Sequence, residues 1–233
     1  MKLRHEDLRW CLRLLPKPVF ELLKERPKKL AVAGGFIRSA ITGEKISDID
    51  LFSESKDAAE AAARKLAVGR SLIETDNAYT VFGNLKYTVQ FIHRWAYDCP
   101  EDILPSFDFT IARAAFWYDD EKWLTLCDED FYSDLAAKRL VYCCPDRNED
   151  AGGSMLRVLK FYQKGYRIPL DSLGSVIARL VSGVKLDEIT AHEETELQMA
   201  KVLTGLLREV DPNIDPTHVA HMPAKDDENI VNE

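Results

Sequence analysis

A chain of 233 residues, 46% of them hydrophobic, can bury a sizeable core, either as one large domain or as a domain with a helical appendage. Its net charge of −8 excludes a surface built to coat nucleic acid everywhere and leaves room for local basic patches. No apolar run is long enough to cross a bilayer, the N-terminus lacks a signal-peptide core, and the odd set Cys11, Cys99, Cys127, Cys143 and Cys144 lacks metal-ligand spacing. The expectation is a cytoplasmic protein with reduced thiols, no zinc and no membrane partner.

From Leu3 to Lys29 the pattern is helical, with Leu8, Cys11, Leu12 and Leu15 at three- and four-residue spacing. Pro16 and Pro18 interrupt it, and Pro18 suits the start of a second helix, Val19 to Glu25. Residues 1–30 carry nine Lys/Arg against four Asp/Glu, read as a solvated face or as a basic shoulder beside a phosphate-rich ligand. Leu30 to Ala33 then form a short apolar run that fits a buried strand, and Gly34-Gly35 breaks it. Phe36 to Ile41 fits a short helix ending near Gly43. A glycine pair between strand and helix lets backbone N–H groups approach an anion, and the helix N-terminus adds partial positive charge. Arg38 lies one turn in, where a guanidinium can hold phosphate bidentately. In Ser47-Asp48-Ile49-Asp50-Leu51-Phe52, alternation puts both carboxylates on one strand face, about 7 Å apart. A divalent cation would relieve their repulsion.

Gly-Gly, then Arg, then Asp-x-Asp resembles the signature of the DNA polymerase β-like nucleotidyltransferases. The fuller run from Gly34 to Leu51 resembles the first motif of the branch that holds class II CCA-adding enzymes and bacterial poly(A) polymerases. The resemblance implies an α/β (α+β) nucleotidyltransferase head with a mixed, antiparallel-rich sheet of about five strands, followed by a small all-helical neck. It also implies Asp48 and Asp50 as ligands of two Mg²⁺ (or Mn²⁺), and Gly34, Gly35 and Arg38 as holders of the nucleotide's phosphates.

Further along, Lys56 to Val68 is an alanine-rich helix, and Ser71–Thr75, Tyr79–Phe82 and Lys86–Ile92 read as three strands. The family places another carboxylate in this part of the sheet, and Gln90 stands at the matching position. Pro100 to Pro105 is a short helix or loop. Ser106 to Phe116 then resembles the second family motif, keeping Asp-Phe-Thr-Ile at 108–111, with Ser106-Phe107 in place of an arginine pair and Ala112 in place of asparagine. Asp108 is thereby a third carboxylate candidate, near metal or accepting from a ribose hydroxyl, with a helix N-cap as the alternative. Phe116 to Leu126 reads as a hairpin, and Phe131 to Leu140 resembles the segment that closes the head.

The polar run Asp146 to Gly153 marks the head–neck boundary. Ser154 to Phe161 resembles the family's first neck helix, with Arg157 and Lys160 on a stripe facing a triphosphate or an acceptor backbone. Helices over 171–180 and 186–208 complete the neck, and residues 211–233 read as an acidic flexible tail. The base-selecting Glu-Asp-x-x-Arg of the family is not matched, since Glu193-Glu194-Thr195-Glu196-Leu197 carries no arginine, and the long helical body of the full enzymes has no counterpart.

The organisation expected is N-terminal helices over 1–29, head over 30–147, neck over 148–210 and tail over 211–233. The activity expected is metal-dependent transfer of an NMP from an NTP (ATP or CTP) to a hydroxyl, an RNA 3′ end being the family precedent. The alternatives are transfer to a small molecule or protein, and a weakened nucleotide- or RNA-binding module. The oligomeric state stays open.

Overall fold

Ala31, Val32 and Ala33 are at most 1% exposed and form β1 (Ala31–Ala33), the strand about which the sheet is assembled. β1 pairs antiparallel with β2 (Asp48–Phe52) on one side and with β6 (Ala114–Asp119) on the other. A central strand covered on both faces has no solvent side, which is why its sequence is continuously apolar rather than alternating. The computed structural model describes residues 1–25, 30–145 and 152–182, together with residues 199, 200 and 204. The chain divides into two units, residues 1–147 with 166–172, and residues 148–165 with 173–233.

In the first unit β3 (Ser71–Glu74), β4 (Ala78–Phe82), β5 (Thr88–Ile92) and β7 (Lys122–Cys127) complete a sheet of order β3-β4-β5-β2-β1-β6-β7. The β2–β5 pairing is parallel, and the other pairings are antiparallel. The sheet is mixed and antiparallel-rich, as expected, but has seven strands instead of about five. The hairpin after Arg113 joins it with β6 beside β1 and β7 outside β6, and Ala115 and Trp117 pack with Ala31, Ala33 and Phe52 in one apolar cluster. That cluster is closed by Ile103 and Leu104 of a 3-10 helix, Pro100–Ser106.

The helices follow from local sequence. α1 (His5–Leu14) packs on α3 (Gly35–Thr42), with the Trp10 indole N–H donating to the Ala40 carbonyl at 3.1 Å. α2 runs Lys17–Leu23, two residues earlier than the spacing suggested. Pro18 falls in its first turn, where a missing N–H costs no hydrogen bond. α4 (Lys56–Leu66) is capped by Ser55, whose hydroxyl accepts from the Ala58 N–H at 3.1 Å, and buries Ala59, Ala62, Ala63 and Leu66 against β4 and β5. α5 (Phe131–Ala136) follows β7.

Residues 166–172 follow the next helix in sequence but belong to the first unit. The Leu140 N–H donates to the Arg167 carbonyl, the Arg167 N–H to that of Lys138, and the Tyr142 N–H to the Ser172 hydroxyl. The described part of the second unit holds α6 (Gly153–Gln163) and most of α7 (Leu170–Ser182). The helix expected over 186–208 lies largely, and the acidic tail wholly, outside the described residues. Among the described residues no helix is long and apolar enough to cross a membrane.

Candidate active site

Register places Phe52 beside Ala31, so alternation puts Phe52, Asp50 and Asp48 on one face of β2. Phe52 is under the apolar cover, whereas Asp50 and Asp48 lie beyond it and are partly exposed. Ile49 and Leu51, at 0% and 1% exposure, face the opposite side. Burial, and then the charge of Asp48, push the Asp50 carboxyl from 3.8 up to about 7. The Ser47 hydroxyl donates to Asp48 Oδ1 at 2.8 Å. Across the parallel pairing, Thr88 is the register partner of Asp48 and Gln90 that of Asp50, and Thr80 of β4 continues the row from Gln90.

The face therefore offers two carboxylates, an amide and hydroxyls, an all-oxygen set suited to a hard cation such as Mg²⁺ or Mn²⁺. A bound cation would offset the repulsion from Asp48, the second of the two causes that raise the Asp50 carboxyl. Among the described residues no three His, Cys, Asp or Glu side chains are grouped as metal ligands, so a cation held here would have only two carboxylates and neutral oxygens to draw on.

The turn out of β1 runs through Gly34, at φ 78° and ψ −129°, where the Phe107 ring comes within 3.0 Å of the place a Cβ would take. Both the left-handed φ and that close approach require glycine. The Gly34 N–H donates to the Ala114 carbonyl at 3.0 Å, so the first N–H groups directed outward belong to Gly35 and the residues after it. Arg38 reaches back along α3, its guanidinium nitrogens 3.7 and 4.0 Å from the Cβ position of Gly35. It is only 8% exposed and pairs with Glu44 at 3.8 Å, while Glu44 accepts from the Tyr166 hydroxyl at 3.1 Å. Burial lowers the Arg38 pKa, and the nearby Glu44, Tyr166 and Asp48 oppose that shift.

Asp108 is 2% exposed. Its carbonyl accepts from the Cys143 N–H at 2.8 Å, and the Thr110 N–H donates to Val141 at 3.1 Å, stitching the second motif to residues 141–143. The short 3-10 helix Thr110–Ala112 takes Phe109 as its N-cap residue, so Asp108 does not fill that place. Asp108 is not grouped with Asp48 and Asp50 as a metal ligand. A different carboxylate anchors the motif: fully buried Asp134 accepts from the Thr110 hydroxyl at 2.5 Å and from Arg139 at 2.6 Å. Arg157, partly buried, and Lys160, exposed, lie on α6 of the second unit. Asp134 and Arg139 lie in the segment 131–140 that the sequence marked as closing the head, but not with this pairing, and Glu44 and Tyr166 carry no periodic or motif signal. Each is defined by a partner elsewhere on the chain.

A family model described as "Gad2: Gabija anti-defense 2 family protein" matches residues 4–138. A comparison with curated proteins yields no match. Among solved structures the chain is similar to the Thermotoga maritima CCA-adding enzyme complexed with tRNA, at 20% identity and a TM-score of 0.57, over 76% of this chain and 45% of that one. It is also similar to a CCA-adding enzyme with CTP (20% identity, TM-score 0.56, 79% of this chain and 48% of that one). A third is a CCA-adding enzyme with ATP (21% identity, TM-score 0.54, 86% and 48%). The chain thus shares the nucleotidyltransferase-like fold while spanning about half the length of these proteins.

Proposed function

The chain belongs to the Gabija anti-defense 2 family, and from that premise we propose that it serves an anti-defence role by transferring a nucleoside monophosphate from an NTP to a hydroxyl acceptor. The observation that carries this reading is the Asp48–Asp50 pair, on one open strand face beside the Gly34 turn and the start of α3. In the reaction the acceptor oxygen bonds to the α-phosphorus, the bond from that phosphorus to the bridging oxygen breaks, and pyrophosphate leaves. The hydroxyl proton passes to solvent. The first N–H groups of α3 would receive phosphate oxygens, with the Arg38 guanidinium adding positive charge behind them. Asp48 and Asp50 would hold Mg²⁺ or Mn²⁺, with Gln90 lending a neutral oxygen. Two such ions, when bound, activate the acceptor oxygen and offset triphosphate charge.

ATP or CTP is the proposed donor and an RNA 3′ end the proposed acceptor, in line with the ligands of the similar structures. Arg157 and Lys160 are proposed as backbone or phosphate contacts, and Asp108 as a third carboxylate, near metal or accepting from a ribose hydroxyl. A cytoplasmic location, where free NTP is at hand, is part of the same proposal.

One observation favours a second reading, a binding module with little turnover: the register partner of Asp50 is a neutral amide. Incubation with each labelled NTP, Mg²⁺ and total RNA, read by gel and by pyrophosphate release, separates the two. Transfer predicts labelled RNA with the wild type and none with Asp48→Ala or Asp50→Ala, both still folded by circular dichroism. Nucleotide binding without pyrophosphate release on any RNA would select the module.

A further inference from the structure

A groove of about 880 Å³ opens beside the carboxylates, at the end of the sheet where β2 and β5 begin. Its lining includes Ser47, which precedes Asp48, and Thr88, the register partner of Asp48. Three aromatic rings contribute. Trp10 is 48% exposed while its indole N–H is held by the Ala40 carbonyl, so the ring is fixed and still open to solvent. Phe82, at the tip of β4, is 36% exposed, and Tyr87 stands edge-on to Phe36 with ring centroids 6.4 Å apart. Two exposed lysines, Lys45 and Lys86, share the lining, the second with Nζ 4.9 Å from the centre of the Tyr87 ring. The one carboxylate in the lining, Glu44, is engaged by Arg38 and Tyr166. The groove therefore presents the exposed rings of Trp10 and Phe82, the half-buried ring of Tyr87 with Lys86 over one face, and lysines not paired within the lining, in a chain whose net charge is −8.

We propose that this groove binds the terminal nucleotides of a single-stranded nucleic-acid acceptor, with bases stacked on Trp10, Phe82 and Tyr87 and phosphates met by Lys45 and Lys86. The proposal rests on the nucleotidyl-transfer reading, which puts the reacting hydroxyl at the Asp48 end of the groove. Aromatic platforms interleaved with cations match a strand that alternates π-faces and phosphates. An acidic peptide would satisfy the lysines and leave the rings unused. The volume lies towards the upper end of small-molecule sites, which gives room for more than one nucleoside.

The test is fluorescence anisotropy of a labelled oligoadenylate titrated with the full chain, run beside a Mg²⁺–NTP titration and a thermal melt of each variant. Phe82→Ala should weaken oligonucleotide binding about 10-fold, the loss of one stacking platform. The double variant Lys45→Ala/Lys86→Ala should flatten the dependence of log Kd on log salt by about 1.4. An abasic strand of the same length should bind more weakly than oligoadenylate, and polyglutamate should compete more weakly than unlabelled oligoadenylate. NTP affinity and melting temperature should be unchanged in both variants, since neither site lies in the phosphate cradle. Equal binding of the abasic strand, unaltered binding by Phe82→Ala, or competition by polyglutamate as strong as that of unlabelled oligoadenylate would overturn the proposal. A wild type that binds the strand through these residues but never releases pyrophosphate leaves the groove standing and removes the transfer reading. Transfer of the nucleoside monophosphate to another acceptor, with pyrophosphate released and no strand binding, does the reverse.

Discussion

Asp50 and Gln90 face each other as register partners across the parallel β2–β5 pairing, so the place beside the more buried carboxylate is taken by a neutral amide. Gln90→Glu should therefore supply a third carboxylate to the same face. The expected outcome is a lower Mg²⁺ requirement for nucleotide binding and pyrophosphate release, by about tenfold, the equivalent of ~1.4 kcal/mol. The metal-free variant should be less stable than wild type near pH 8, because another like charge is added. An unchanged Mg²⁺ titration would remove Gln90 from the metal's surroundings.

The position of Asp50 also predicts how metal-free stability varies with pH. Its folded-state pKa, about 7, is raised from 3.8, so between these values the folded state holds a proton that the unfolded state has released. Stability should accordingly fall as pH rises from about 4 through 7 and level off above that. Asp50→Asn should abolish this slope and melt higher than wild type at pH 8, by at most about 4 kcal/mol. Saturating Mg²⁺ should flatten the wild-type profile. Denaturant melts over that pH range with EDTA check it, and a flat metal-free profile would refute the assignment.

Arg38 and Glu44 form a mostly buried ion pair, at 10% and 18% side-chain exposure. Arg38→Ala leaves the Glu44 charge without its cation and should cost about 3 kcal/mol of stability. Arg38→Met with Glu44→Gln should recover most of that loss. Any effect on phosphate binding is then separable: the double variant should still bind NTP more weakly by about 1.5–3 kcal/mol, as for a charged hydrogen bond. Wild-type affinity in the double variant would assign Arg38 to the fold alone.

Asp108 is 2% exposed, so Asp108→Ala removes a buried polar side chain while leaving its backbone bond to Cys143 in place, and should lower stability by about 1–3 kcal/mol. Its catalytic effect distinguishes the roles. A metal-side carboxylate would bring activity down to the level of Asp48→Ala, whereas a ribose contact would leave turnover and blur the choice between NTP and dNTP. A loss of stability alone, with both activity and sugar choice intact, would make the residue structural. Single-turnover assays with both nucleotide types decide among these outcomes.

Much of this was legible in the sequence because the signals were short-range. The two-residue period of a strand puts Asp48 and Asp50 on one face whatever else the chain does, and Gly34-Gly35 marks a turn that a side chain would obstruct. The apolar run 30–33, the alanine face of α4 and the order of the motifs identified the head as an α/β unit of nucleotidyltransferase type. What only the tertiary structure decided depends on pairings between distant segments. Gln90 lies beside Asp50 through the register of a parallel pair formed after a crossover, and no local period encodes that register. Arg38 is tied to Glu44, and through it to Tyr166, more than a hundred residues away; the spacing that places Arg38 one turn into α3 is silent about what faces it. The carboxylates of Asp50, Asp108 and Asp134 look alike in sequence, but burial sets each apart: Asp50 at the edge of the apolar cover, Asp108 within a stitched segment, Asp134 paired with Arg139 in the core. Desolvation depends on what packs around a group, and that is decided only when the whole sheet closes.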